Sequence, residues 1–130
     1  NQQTLMKAKI LVVDDSGLAR RLLRKILEDL GHEVEDASDG AEALERYALN
    51  RHDAIILDLL MHGMYGVEVL EKFKQLNPSL PVIVVSADIQ RTTRDQVKAA
   101  GAVAMVNKPV TREQLEEVLG IVLKGGTVWN

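Results

Sequence analysis

The chain contains no cysteine, so disulfides and thiolate chemistry are excluded. That suits a cytosolic setting, and the expected location is cytoplasmic. No stretch nears the roughly 20 consecutive apolar residues that cross a bilayer, so membrane insertion is not expected. The polar opening NQQTLMKAK, which begins at Asn1, has no apolar run of the signal-peptide type. An excess of positive charge is also missing. Lys and Arg number 16 against 19 Asp and Glu, for a net charge of −3, which gives no general attraction to nucleic acid or anionic membranes. Repeats, low-complexity tracts and internal linkers are absent too. With 130 residues and 46% hydrophobic content, the chain has the makings of one ordinary globular domain with a real core.

What is present is an alternation of two patterns. Short aliphatic runs at residues 10–13, 54–57, 82–85 and 102–106 read as strands, the first of them buried on both faces. Residues 33–37 alternate charged and apolar side chains, which suits an edge strand. Between them lie helical spacings. The first helix starts near Ser16, with Ala19, Leu22, Leu23, Ile26, Leu27 and Leu30 inward, and Gly31 stops it. Asp39 caps a second helix, with Glu42 in capping-box spacing and Ala43, Leu44, Tyr47 and Ala48 as its stripe. A third covers residues 66–76, ended by Asn77-Pro78. Residues 90–100 form the weakest helix, with only Val97, Ala99 and Ala100 apolar. Thr111 and Gln114 open the last one in a second capping box, and Gly125-Gly126 close it.

Five strands alternating with five helices predict a parallel sheet with helices on both faces. The flavodoxin-like order 2-1-3-4-5 places the polar segment at an edge and the greasiest strands in the centre. The domain is expected over residues 8–124, with 1–7 and 125–130 outside the core.

Chemistry concentrates at the carboxyl ends of the strands. Strand one ends in Asp14 and Asp15, strand three in Asp58, strand four in Ser86, and Lys108 follows strand five. In the order 2-1-3-4-5 these strands are neighbours, and ligands bind at such ends. Three carboxylates within a few ångströms require either a held proton or a bound cation. Oxygen-only donors point to a hard divalent ion, and few protein ligands favour Mg²⁺ over Ca²⁺. A metal would let one carboxylate attack phosphorus. Asp58 is the best nucleophile because it stands centrally. Ser86, backbone N–H groups, Lys108 and the metal would satisfy the phosphoryl oxygens.

With ILVVDD, IILDLLM, VIVVSAD and VNKP in order, each at a strand end, the chain resembles a response-regulator receiver domain of two-component signalling. It is similar to the single-domain chemotaxis type. The resemblance implies that Asp58 accepts a phosphoryl group from a sensor histidine kinase. It implies that Asp15, Asp58 and the Leu60 carbonyl contact Mg²⁺ (Mn²⁺ substituting), with Asp14 reaching it through water. Ser86 and Lys108 would bind phosphoryl oxygens, and the bond between Lys108 and Pro109 would be cis. The expected output is a protein target binding at residues 90–100, 102–106 and 111–124. Such a module catalyses only its own phosphorylation and dephosphorylation, as a monomer or a phosphorylation-dependent dimer. The residues after the last helix carry no output segment, which suits a stand-alone module or a receiver cut from a longer regulator.

The sequence departs from the family pattern in places. His62 stands where Pro is frequent, beside Gly63 and Gly66, which predicts a looser loop; Tyr65 stands where an acid or amide is frequent. Met105 replaces the common aromatic three before the lysine. It fills the same space without a ring to report a rotamer change. Leu60 cannot position a hydrolytic water, and Asp88 is its polar counterpart across the cleft. Leu60 also counts against an aspartyl-nucleophile hydrolase, which needs a second acid there. A degenerate receiver acting by contact alone is the other rival, and the five site residues argue against it. Plainer readings fit elsewhere. The group Arg20, Arg21, Arg24 and Lys25 reads as a solvated face, and His62 as an exposed loop residue. Met61 and Met64 read as loop packing or a partner surface, and Trp129 as helix-end packing or the start of a linker.

Overall fold

The computed structural model describes residues 7–61, 65–88 and 90–129. Ten elements alternate: β1 (Lys9–Val13), α1 (Gly17–Asp29), β2 (Glu33–Ala37), α2 (Gly40–Asn50), β3 (Ala54–Asp58), α3 (Gly66–Leu76), β4 (Val82–Ser86), α4 (Arg91–Ala99), β5 (Ala104–Asn107) and α5 (Arg112–Val122). The five strands form one parallel sheet in the order β2-β1-β3-β4-β5. Among the described residues no helix is long and apolar enough to cross a membrane. The looser loop expected at His62 and Gly63, and the surface role weighed for Met64, fall outside the described residues.

The sheet divides the core in two, because successive side chains of a strand point to opposite faces. Leu11, Val13, Ile55, Leu57, Val82 and Val84 pack toward α2, α3 and α4. Ile10, Val12, Ile56, Ile83, Val85 and Val106 pack toward α1 and α5. Every residue of β3 and β4 is buried, as unbroken aliphatic runs require. β2 has the mixed pattern of an edge.

Several details differ from the expectations. Leu22 is 57% exposed. Leu23, Leu27 and Leu30 make the buried stripe, and Leu22 is turned about 100° away from Leu23 around the helix. The basic group on α1 is not simply solvated. Arg20 donates to the Asp14 carbonyl at 2.7 Å, and Arg24 donates to the Val34 carbonyl at 3.0 Å while pairing with Glu28 and Asp36. Asp39 accepts from the Glu42 N–H at 2.8 Å, but the Glu42 carboxylate reaches Ser38 instead of the cap residue. The full capping box is at Thr111 and Gln114. β5 starts later than expected because the Gly101 and Ala102 N–H groups close the end of α4 on the Lys98 and Val97 carbonyls. Met61 packs against the core.

The termini of the domain also differ. Residues 125–130 were expected outside the core, yet the Val128 N–H donates to the Val103 carbonyl at 2.8 Å. Val128 bridges to Ala104 in parallel, and Trp129 packs on the α2-α3-α4 side. An edge strand leaves backbone groups unpaired, and this segment satisfies one of them.

Gly66 controls how closely α3 approaches the end of β3. A Cβ there would stand 2.5 Å from the Leu59 carbonyl oxygen and 2.6 Å from its Cα. The obstacle is backbone, so no side-chain rotation relieves it. Gly66→Ala is expected to destabilise the fold by about 1–3 kcal/mol in urea unfolding, through overpacking. Val67→Ala, at a half-buried neighbouring position, serves as the comparison; equal stability of Gly66→Ala and wild type would show that α3 can retreat freely.

Candidate functional site

Each strand end delivers its residue for a local reason. Asp14 follows the last residue of β1, and its N–H is held by the Ala37 carbonyl at 3.1 Å. Its Oδ1 accepts from the Ser16 N–H at 2.9 Å. Ser16 caps α1 by accepting from the Ala19 N–H. Asp58 is still within β3, opposite Val85, so the sheet fixes its backbone. Ser86 ends β4 opposite Asn107 and is fully buried, and its carbonyl accepts from the Lys108 N–H at 2.9 Å. The Lys108–Pro109 peptide bond is cis.

These residues meet. Carboxylate oxygens of Asp14, Asp15 and Asp58 lie within 4.8 Å of one another. The Lys108 Nζ lies 3.2 Å from Asp14 Oδ2 and 3.4 Å from Asp58 Oδ1. Asp14 and Asp58 are buried, at 1% and 5% exposure. Burial pushes the Asp58 carboxyl above the usual carboxylate range, and the Asp14 charge adds to this; Lys108 and the Leu60 N–H oppose it without prevailing. Burial alone would lower the Lys108 ammonium, but Asp58 and Asp14 outweigh it and hold the proton on. Two buried carboxylates therefore share the Lys108 ammonium, with the Asp15 carboxylate beside them.

That imbalance is the test of a metal. A cluster of oxygen donors with surplus negative charge, reached from the rim at Asp15, fits a hard divalent cation. The arrangement holds one buried carboxylate, Asp58, between a cation on one side and acids able to bind a second cation on the other. It is suited to bringing that carboxylate up to an anionic electrophile.

The neighbourhood is less symmetrical than the sequence suggests. Leu60 is 61% exposed, and its N–H points at Asp58 Oδ1 over 3.4 Å. Leu60 and Asp88 do line one cleft, between α3 and α4. However, Asp88 is turned toward α4. Its carboxylate accepts from Thr93 Oγ1 at 2.6 Å and from the Gln90 N–H at 2.9 Å, and these bonds hold it below the usual carboxylate range. Its own N–H donates to Ser86 Oγ at 3.0 Å. Thr93, a poor helix former by propensity, thus has a role that helix periodicity does not reveal. Asp88 five residues before Thr93 was the available signal, since Asp habitually binds the N–H groups that open a helix. Met105 lies half-buried against the core on the α4 side.

A family model for the response regulator receiver domain matches residues 10–120. The chain belongs to the response regulator receiver family. Phosphorylation of an aspartate and use of Mg²⁺ are general to receivers, which are signalling modules supplied by sensor kinases. The response regulator MprA of Mycobacterium sp. (strain KMS) is 39% identical over 110 residues, covering 85% of this chain and 48% of the relative. The receiver thus spans about half of that protein. The chemotaxis protein CheY4 of Vibrio cholerae is 34% identical, with a TM-score of 0.84 over 88% of this chain and 97% of that one. The CheX–CheY–BeF3–Mg complex of Borrelia burgdorferi is 28% identical, with a TM-score of 0.82 over 86% and 87%.

The acidic cluster leads to a metal test that does not depend on phosphorylation. At ten times its dissociation constant, Mg²⁺ is expected to stabilise this receiver by about 1.4 kcal/mol, read as a rise in melting temperature. Asp15→Asn, at the rim of the cluster, should abolish most of that rise, each protein being compared with its own metal-free melting temperature. A wild type indifferent to Mg²⁺ would exclude binding at this cluster.

Proposed function

We propose that this receiver takes a phosphoryl group from a sensor histidine kinase onto Asp58. An Asp58 oxygen attacks phosphorus, the new P–O bond forms as the P–N bond to the kinase imidazole breaks, and the imidazole leaves with its electron pair. The observation that carries the reading is the place of Asp58 itself, buried at a strand end with the Lys108 Nζ at 3.4 Å. Lys108 would follow the phosphoryl oxygens, and the buried Ser86 hydroxyl would donate to another. Mg²⁺, with Mn²⁺ able to replace it, would be held by Asp15, Asp58 and the Leu60 carbonyl, with Asp14 through water, and would neutralise the incoming oxygens. Support comes from the cluster of three carboxylates and from the Borrelia neighbour, whose complex contains Mg²⁺.

The output is conformational. Engagement of Ser86 draws the following loop toward Asp58. That shifts the balance between two states of the surface made by α4, β5 and α5, to which a protein target binds. Met105 fills the place of a switching ring by packing alone. Catalysis is confined to the module's own phosphorylation and dephosphorylation, in the cytoplasm, without direct contact with nucleic acid. The molecule acts as a monomer or as a dimer formed on phosphorylation.

Incubation with a small phosphodonor and Mg²⁺ tests the acceptor. Wild type should gain one phosphoryl group by intact mass, and Asp58→Asn none. Lys108→Ala should be phosphorylated roughly tenfold or more slowly, since a charge-assisted contact to the transferring group is worth about 1.5–3 kcal/mol. If wild type fails to gain the group, the chain acts by contact alone.

A further inference from the structure

Two features of α4 are not absorbed by the chemistry at Asp58. The first is its scant anchorage. Val97 is its only fully buried residue, so polar ties decide where it sits. At its start, Asp88 joins Gln90 and Thr93 to Ser86, as described above. The second feature lies further along the helix. Arg94 and Lys98, one turn apart, both face the indole of Trp129. The Arg94 guanidinium carbon is 5.4 Å from the ring centre and the Lys98 Nζ is 5.7 Å from it. Cations at this range are attracted to the ring face.

Trp129 is placed by the edge of the sheet. Val128 pairs with β5, and its side chain packs on the α1-α5 side, while Trp129 packs on the opposite side with Val97, Ala102 and Met105. That alternation is the signature of an extended segment continuing the sheet. The indole thus fastens α4 to β5 from outside, over the same face that Met105 fills from within.

We propose that residues 127–129 are an intramolecular occupant of the α4–β5 face, and that the chain of contacts Ser86–Asp88–Thr93 links their hold to the state of Asp58. The inference rests on the phosphoacceptor reading above. When the Ser86 hydroxyl turns to a phosphoryl oxygen, the Asp88 N–H bonded to it follows. The Asp88 carboxylate draws the first turn of α4 the same way, and Arg94 and Lys98 slide off the indole. Trp129 is released, and the edge of β5 is uncovered for a partner.

Trp129 is the only tryptophan, so tryptophan fluorescence reports the surroundings of this one indole. Acrylamide, being neutral, quenches it without being attracted by the two cations. In the untreated protein, Lys98→Ala is expected to raise the quenching constant by roughly 1.5-fold, because one of the two ring contacts is lost. A value equal to wild type overturns the docked indole. With a small phosphodonor and Mg²⁺, intact mass and quenching are followed together. Wild type should gain one phosphoryl group while quenching rises roughly twofold. Thr93→Val should gain the group equally with at most a slight rise, and Asp58→Asn should show neither change. Phosphoryl gain with unmoved quenching in wild type overturns this inference and leaves the acceptor reading intact. Absence of any gain removes both. A full response in Thr93→Val overturns the link through Asp88.

Discussion

The charge balance at the end of the sheet governs this molecule. Asp14 and Asp58 are buried side by side, and one ammonium, from Lys108, stands within 3.4 Å of both. Two buried carboxylates facing each other are costly, and one cation between them offsets only part of that cost. Asp58 is accordingly harder to ionise than an ordinary aspartate. The site carries an unmet demand for positive charge, and a cation or a transferred group changes its energy more than either would change an ordinary surface patch. Responsiveness follows directly from that incomplete neutralisation.

The fold's task is to keep the imbalance in place. Asp58 and Ser86 are set by strand register in strands whose residues are all buried, so neither backbone can yield to the local repulsion. Close approach of Gly66 to Leu59 pins α3 beside the acceptor. Arg20 ties α1 to the Asp14 carbonyl. The rigid side of the site is thus the sheet and the glycine contact. Its soft side is the segment after Ser86, where side-chain hydrogen bonds replace packing. A switch needs both, since a site that deformed everywhere would dissipate the signal locally.

Much of this was legible in the residues. Unbroken aliphatic runs can be stabilised only between two layers, so ILVV, AIIL and VIVV announced central parallel strands. Their order then fixed which ends meet, and with it the company of Asp58. Most of the misreadings share one cause. Leu22 looked like core, and its phase around α1 turned it outward. Glu42 looked like a reciprocal cap, the α1 cations like a solvated face, and the segment after α5 like a tail. In those three cases the outcome depended on what lay across from the residue in space. The Val34 and Asp14 carbonyls, the Ser38 N–H and the free edge of β5 were the deciding neighbours.

By itself, then, the sequence determined the layer architecture, the strand order and the identity of the central acid. These follow from hydrophobic periodicity and from the short menu of topologies that parallel strands allow. Only the tertiary structure decided that Lys108 is shared between two carboxylates, that Asp88 serves α4, and that Trp129 lies against Arg94 and Lys98. Each of those is a contact between side chains distant in sequence, or a choice among several partners within reach. Periodicity carries no information about such choices, because they are settled by a few ångströms of packing after the chain has folded.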